Sequence, residues 1–336
     1  RDWSSDVCSS DLIEINKQAE GEKLAVALTG RLDTMTAPDL EAELKDALGC
    51  IRELTFDFGG HTLTYDQDTE NTVFDIGTDS NTKVFFKNGS IVVTEKSTHV
   101  SYAINVNTDH DTETWQSKAS AASVTIESDV TITNPNGGVI YGGGNTTING
   151  GSFTGGGNSA LINNKGTLTI NGGNFVSTST ASYASVILDM FGTGKVDIRG
   201  GTFTSNNANS PTIWLYNPKG TEASSIKDAT IVNNATDFGA YALELDAAQV
   251  TVSGNTTIQS AGFRAVAVFN NGTAATDTQF TMEGGTIIGG GNRAAVSVQI
   301  GGTAEIKDGT ITSSSSENSS VAGVEVMSNG KVTIIG

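Results

Sequence analysis

The sequence predicts an all-β solenoid, a parallel β-helix of about 26 residues per coil, and three observations lead there. A short phrase of alternating apolar residues closed by a glycine turn recurs from Leu54 to the end of the chain. Its interval is that of one solenoid coil, too short for a domain. Composition agrees: 336 residues include 40 Gly and only 4 Pro, with abundant Thr, Ser and Asn, as expected of short strands separated by tight turns.

The recurring phrase reads "TINGGSF", "TINGGNF", "DIRGGTF", "SIKDATI", "TMEGGTI" and "EIKDGTI". The apolar residue before each turn falls at Ile126, Ile148, Ile170, Ile198, Ile226, Val252, Met282, Ile306 and Ile334, in steps of 22 to 30 residues. An earlier alternating strand accompanies each unit: "SALIN", "ILDM", "TIWLY", "ALEL", "AVAV", "AVSV" and "GVEV". Two or three strands of three to five residues therefore make up each coil, with Gly and Asn at the corners. Period-two alternation turns Leu168 and Ile170 inward and Thr169 outward. The same rule makes Thr125, Thr147, Thr169, Asp197, Ser225, Thr251, Thr281, Glu305 and Thr333 an exposed ladder. Where turn glycine gives way to Asp228 and Asp308, a left-handed residue is expected. Five or six inward side chains at roughly 2 kcal/mol each do not offset the ordering of some 26 residues at about 1 to 2 kcal/mol apiece, so one coil needs its neighbours to fold.

Residues 13–53 are written differently. Ile13 to Ile15 and Leu24 to Leu28 alternate as two strands. "TAPDLEAELKDALG" predicts a helix over Pro38 to Leu48, with Thr36 as N-cap, Leu40, Leu44 and Leu48 on one face, and Gly49 as its stop. This order, with "GRLDTMTAPDLEAEL" at Gly30 to Leu44, resembles the amino-terminal half of a STAS domain of the anti-sigma factor antagonist type. In that family a Ser-Ser-Ala-Gly-Leu segment carrying the phosphorylated serine follows; here "HTLTYDQD" follows Gly60. The resemblance thus implies a partial α+β segment without its regulatory serine, and its apolar helix face suits an N-terminal cap on the first coil. Ahead of it, "RDWSSDVCSSDL", residues 1–12, resembles a translated sequencing adapter and is set aside as non-native.

"ELTFDFGGHTLTY" joins the two parts. Phe58 precedes Leu63 by the spacing of Ile170 to Phe175, and Phe86 precedes Ile91 likewise, which puts the phrase in register with the coils. From here on the chain resembles right-handed parallel β-helix bacterial surface proteins, the pectate-lyase-like superfamily in its non-enzymatic form with Gly-Gly-Thr-Phe repeats. The resemblance implies an extracellular or cell-surface scaffold, adhesin-like or glycan-binding. The expected layout is a non-native segment 1–12, a partial STAS-like segment 13–53, and a β-helix 54–336 that continues past Gly336 in the natural protein. Val93 to Val124 contains an insertion expected to form a side loop or hairpin.

A net charge of -18 excludes nucleic acid and anionic membrane surfaces as partners, since both need a basic face. No apolar run approaches the roughly 18 to 20 residues that span a bilayer. The 2 cysteines, Cys8 in the non-native segment and Cys50, offer no disulfide framework.

Among candidate sites, Asp197 and Arg199 with Lys227 on the next coil form the nearest approach to a catalytic groove, but one acid is too few for polysaccharide chemistry. No catalytic residues are assigned, and no cofactor is expected apart from Ca²⁺, for which Asp109, Asp111 and Glu113 alternate on one face without an EF-hand's glycine or terminal Glu. "TIWLY" is the most informative exposed feature. Alternation turns Trp214 and Tyr216 outward, with Ile187 and Asp189 on the coil before and Glu244 on the coil after. Flat aromatics beside carboxylates suit sugar rings, which makes a glycan the expected ligand unless the loop "NNATDFGAY" covers the patch. Two other readings compete: a polysaccharide lyase or glycoside hydrolase on the same fold, and a STAS fragment fused by chimeric assembly. Genomic DNA sequenced across codons 45 to 65 is expected to diverge from this frame, and an uninterrupted frame through Glu53 overturns the joint.

Overall fold

A computed structural model describes residues 14–20, 23–29, 52–68, 72–77, 81–106, 120–192, 194–217, 222–270, 278–314 and 321–335. Among these the chain is all-β, with no helix, and its strands form one sheet of 21 and one of 10. A single coil shows the plan. Ile187–Met190 joins the smaller sheet, then Val196–Ile198 and Gly201–Ser205 join the larger one. Each strand pairs in parallel with its equivalents one coil before and one coil after, as Thr167–Ile170, Val196–Ile198 and Ser224–Lys227 do. Long parallel sheets of regularly spaced strands result, and the side chains between them make one continuous core.

Register follows the repeat. All nine anchor residues lie in one column, Ile126 beside Ile148 beside Ile170 and so on to Ile306 beside Ile334. The hydroxyl ladder lines up too, Thr147 between Thr125 and Thr169, Asp197 between Thr169 and Ser225. Across the Gly-Gly turn a second column carries Phe153, Phe175 and Phe203, fully buried, with ring centroids 4.8 Å apart and planes within 11° of parallel. The turn before Phe153 needs glycine: Gly151 has φ of 102°, and a Cβ there would fall 2.2 Å from the Val130 carbonyl oxygen. Asp228 takes the left-handed conformation, φ 52°, as expected of it; at the other such turn Gly309, not Asp308, takes it, φ 114°.

Two corners inside the core are held by buried asparagines. Asn233 is fully buried; its Nδ2 donates to the carbonyls of Asn207 and Tyr241 at 2.9 and 3.0 Å, and its Oδ1 accepts from the Ala235 amide. Asn134 does the same in the same column four coils earlier, donating to Val100 and Gly138 carbonyls. These amides supply donors to buried backbone carbonyls at the corners.

At the amino end, Glu14–Glu20 and Lys23–Thr29 form an antiparallel hairpin, longer than the two expected strands. Lys23–Thr29 then pairs in parallel with Glu53–Asp57, setting Leu24 beside Leu54 and Val26 beside Phe56. The expected helix from Pro38 to Leu48, residues 1–12 and Cys50 lie outside the described residues. In "ELTFDFGGHTLTY" the register corrects the expectation by two residues: Phe56, not Phe58, continues the anchor column beside Phe86. Leu63 still pairs with Ile91, so the turn from Phe56 is two residues longer than the next one, from Phe86 to Ile91. Phe58 fills it, 3% exposed, with its ring 6.4 Å from that of Phe86.

The expected side loop after Val93 is also corrected in part. Tyr102–Val106 is an ordinary strand of the smaller sheet, paired with Thr72–Ile76 and Gly138–Gly142, because Ala103, Ile104 and Val106 supply the inward residues a coil needs. Residues 107–119 lie outside the described residues.

Phe175→Ala is expected to lower the free energy of unfolding by about 3 to 5 kcal/mol, since it opens a hole between two stacked rings. Thr169→Ala, on the outer ladder of the same coil, is expected to change it by about 0.5 kcal/mol or less in the same urea titration.

Candidate functional site

The strand Ile213–Tyr216 lies in the smaller sheet with Ile213 and Leu215 buried and Trp214 and Tyr216 partly buried on the outer face. Pairing sets Trp214 between Leu188 and Glu244, and Tyr216 between Met190 and Asp246. Trp214, Tyr216 and Glu244 therefore share the outer face as expected. Ile187 and Asp189 do not. They pair with Ile213 and Leu215 and point into the core, 0% and 2% exposed. A charged residue in "ILDM" invites the opposite phase, but the register is imposed by the buried Ile162 and Ile213 on either side of Ile187. Leu188, Met190 and Asp246 are the neighbours that replace them; alternation carried one coil to each side was the signal for all three.

Two further aromatic residues complete the surface, and periodicity does not reveal them. Tyr183, 55% exposed, stacks on Trp214 with centroids 5.2 Å apart and planes 12° from parallel. Phe191 meets Tyr216 edge-on at 5.0 Å. Both Tyr183 and Phe191 hold the left-handed backbone conformation, φ 63° and 59°, an arrangement that costs on the order of 1 kcal/mol per residue for side chains of this size. The ring over Trp214 thus comes from the coil before. "NNATDFGAY" packs elsewhere: Phe238 and Tyr241 lie against Phe263, at 4.4 and 5.0 Å. Arg264 sits beside that cluster, 7% exposed, over the Phe263 ring and paired with Glu325.

The polar groups of the patch are unusual. Trp214 Nε1 is buried without a hydrogen-bond partner. Beside it, burial and then the charge of Asp246 push the Glu244 carboxyl up to about 8. Burial, with Asp246 again second, also raises the Tyr216 hydroxyl. Near neutral pH the face offers a protonated carboxyl, a donor, beside stacked rings. Inside the core, burial pushes Asp189 up to about 7 against the pull of the Asn164 amide and Lys165. Glu325 runs the other way: partial burial raises it, but bonds from Arg264 and Ser297 hold it below the usual range.

Asp197 accepts from Ser225 at 3.0 Å and pairs with Lys195 at 3.3 Å, while Arg199 donates to Asn171, which leaves that strand a solvated charged face. Asp109, Asp111 and Glu113, the expected Ca²⁺ group, lie outside the described residues. No family model matches the chain, and neither a curated protein nor a solved structure matches it.

Asp189 and Glu244 have folded-state values above the ordinary 3.8 and 4.5. The stability they contribute is complete below about pH 4 and is lost as pH rises through 7 and 8. The melting temperature is expected to fall between about pH 5 and 8, and the double variant Asp189→Asn, Glu244→Gln to flatten that fall. A double variant that falls as steeply as the parent overturns the assignment.

Proposed function

We propose that this chain is a non-enzymatic, right-handed parallel β-helix of the cell surface, and that it binds glycan on the outer face around Trp214. One observation carries the reading: Tyr183 leaves its preferred backbone conformation to lay a half-exposed ring flat on Trp214. Strain of this kind gathers at ligand contacts. A two-ring platform with the partly buried Glu244 beside it offers apolar faces for sugar C–H groups and a carboxyl donor for a sugar oxygen. The resemblance of the Gly-Gly-Thr-Phe repeats to surface β-helices supports a location outside the cell.

A glycoside hydrolase is the second reading, favoured by one feature. Glu244, protonated near neutral pH, has the character of a general acid, with Asp246 two residues along the strand. Asp246 is only 5% exposed, which keeps it from serving as a base toward solvent and ranks this reading below binding.

On an array of bacterial and host polysaccharides the protein is expected to bind at least one acidic or neutral glycan, with Trp214 fluorescence quenched on titration. Trp214→Ala and Tyr183→Ala are each expected to weaken that binding about tenfold, the worth of one aromatic contact. Asp197→Asn is expected to leave it unchanged. Equal binding by all four proteins overturns the site, and release of reducing ends that stops in Glu244→Gln favours the hydrolase.

A further inference from the structure

A second aromatic group lies beyond the patch, on the corner loops that lead into the smaller sheet. Ala235, Ala240 and Phe263 are buried there in a cluster separate from the main core, with Ala208 and Tyr241 packed against it. A Cβ on Gly291 would fall 1.7 Å from the Gly262 carbonyl oxygen, so the corner that carries Arg293 is pressed onto the one that carries Phe263 and Arg264. Phe238 leans on the cluster with its ring 4.4 Å from that of Phe263, yet it is 74% exposed, more than any other large apolar side chain among the described residues. Arg293 stands over both rings, its guanidinium carbon 5.8 Å from the centre of Phe238 and 5.9 Å from that of Phe263.

The charges at this corner do not balance. Arg264 lies over Phe263 at 4.8 Å and is bonded to Glu325. Arg293 acts on the same carboxylate from farther off and has no carboxylate of its own at ion-pair distance among the described residues. Two arginines therefore face one glutamate, in a chain whose net charge is -18. Repulsion of an anion by charges farther away is screened beyond about 8 Å at physiological salt, so the local excess decides. An exposed guanidinium drawn to ring faces keeps its N–H donors for another partner, and a carboxylate matches their fork with two bonds. Phe238 adds an open apolar face, for which a small inorganic anion has no use. A sugar that carries a carboxylate uses both, laying C–H groups on the ring and its charge on the guanidinium.

We propose that Phe238 and Arg293 form a subsite for a carboxylate-bearing sugar, and that the ligand is an acidic polysaccharide lying along the stacking axis from Trp214. This rests on the glycan reading of the Trp214 patch, to which it adds a chemical class and a direction. Pairing sets the span: Trp214, Glu244, Ala267 and Ser297 are consecutive in one column, and Arg293 precedes Ser297 on the last of these coils. Three coil steps of about 4.8 Å put Arg293 roughly 14 Å from Trp214 along the axis, a distance that a polymer covers and a single sugar does not. Tyr241, on the coil of Glu244 between them, packs its ring on Phe263 at 5.0 Å.

Hyaluronan, alginate and polygalacturonate are the probes, each as the acid and after chemical reduction of its carboxyl groups to alcohols. The parent is expected to bind at least one of them about tenfold or more tighter as the acid, the worth of one charge-assisted contact. Arg293→Gln, an exposed change, is expected to remove that preference with the melting temperature unchanged, and Arg293→Lys to restore part of it. Phe238→Ala and Trp214→Ala are each expected to weaken the acid and reduced forms alike, leaving their ratio intact. A preference for the acid that survives Arg293→Gln overturns the subsite, as does a parent that binds both forms equally; binding that still falls in Trp214→Ala then leaves the glycan reading standing. A parent that binds only neutral polymers likewise removes the subsite alone, whereas a parent that binds no glycan removes both.

Discussion

Hydrogen bonding between one coil and the next is the constraint on which the rest of the structure depends. Every strand of the coils finds its partners one period away along the chain, so the neighbours of a side chain are its own counterparts. Columns of like chemistry follow: chiefly aliphatic residues before the turn, phenylalanine on three successive coils and aliphatic residues on the others after it, chiefly threonine outside. A ring such as Phe175 lies between two more rings, and a threonine such as Thr169 lies beside another threonine. Like-on-like stacking makes the repeat self-consistent, since each residue type is tested only against itself and its nearest relatives.

Against such uniform columns, exceptions carry the information. In the outer column of the smaller sheet Leu188, Trp214 and Glu244 are three consecutive residues of unrelated chemistry. In the inner column Asp189 lies between Asn164 and Leu215, one coil short of an aliphatic run through Leu245 and Val268. Both breaks fall on the same two coils. Columns that are uniform serve the stack; a column that changes character at one level has been bent to some other requirement, and here two columns on opposite faces of one sheet are bent together.

Most of the fold could be read from the sequence because the repeat encodes it twice, in the apolar anchors and in the turns between them. Leu168 and Ile170 declare their phase by alternation, and Gly150 with Gly151 marks the corner that follows. Legibility fails where local pattern and neighbouring register disagree. "ILDM" read alone puts its aspartate in solvent; held beside Ile162 and Ile213 it cannot. Phe58 was misplaced for a related cause, since spacing to Leu63 counts residues and is blind to a turn that is two residues longer. Tyr183 and Phe191 escape pattern altogether, because they reach the patch from corners, where no period governs direction and a positive φ decides where the ring goes.

The parallel pairing of coils also fixes how the molecule meets a mechanical load. Hydrogen bonds between strands run along the stacking axis, so a pull along that axis opens them end-on, a few at a time, starting with the terminal coil. Side-by-side strands pulled along their length would share the force across the whole ladder; here it is concentrated on one rung. Each rung released pays out roughly 90 Å of chain, from about 26 residues at some 3.4 Å apiece. A stack of this design lengthens rung by rung under load, each step set by the 22 to 30 residues of its own coil.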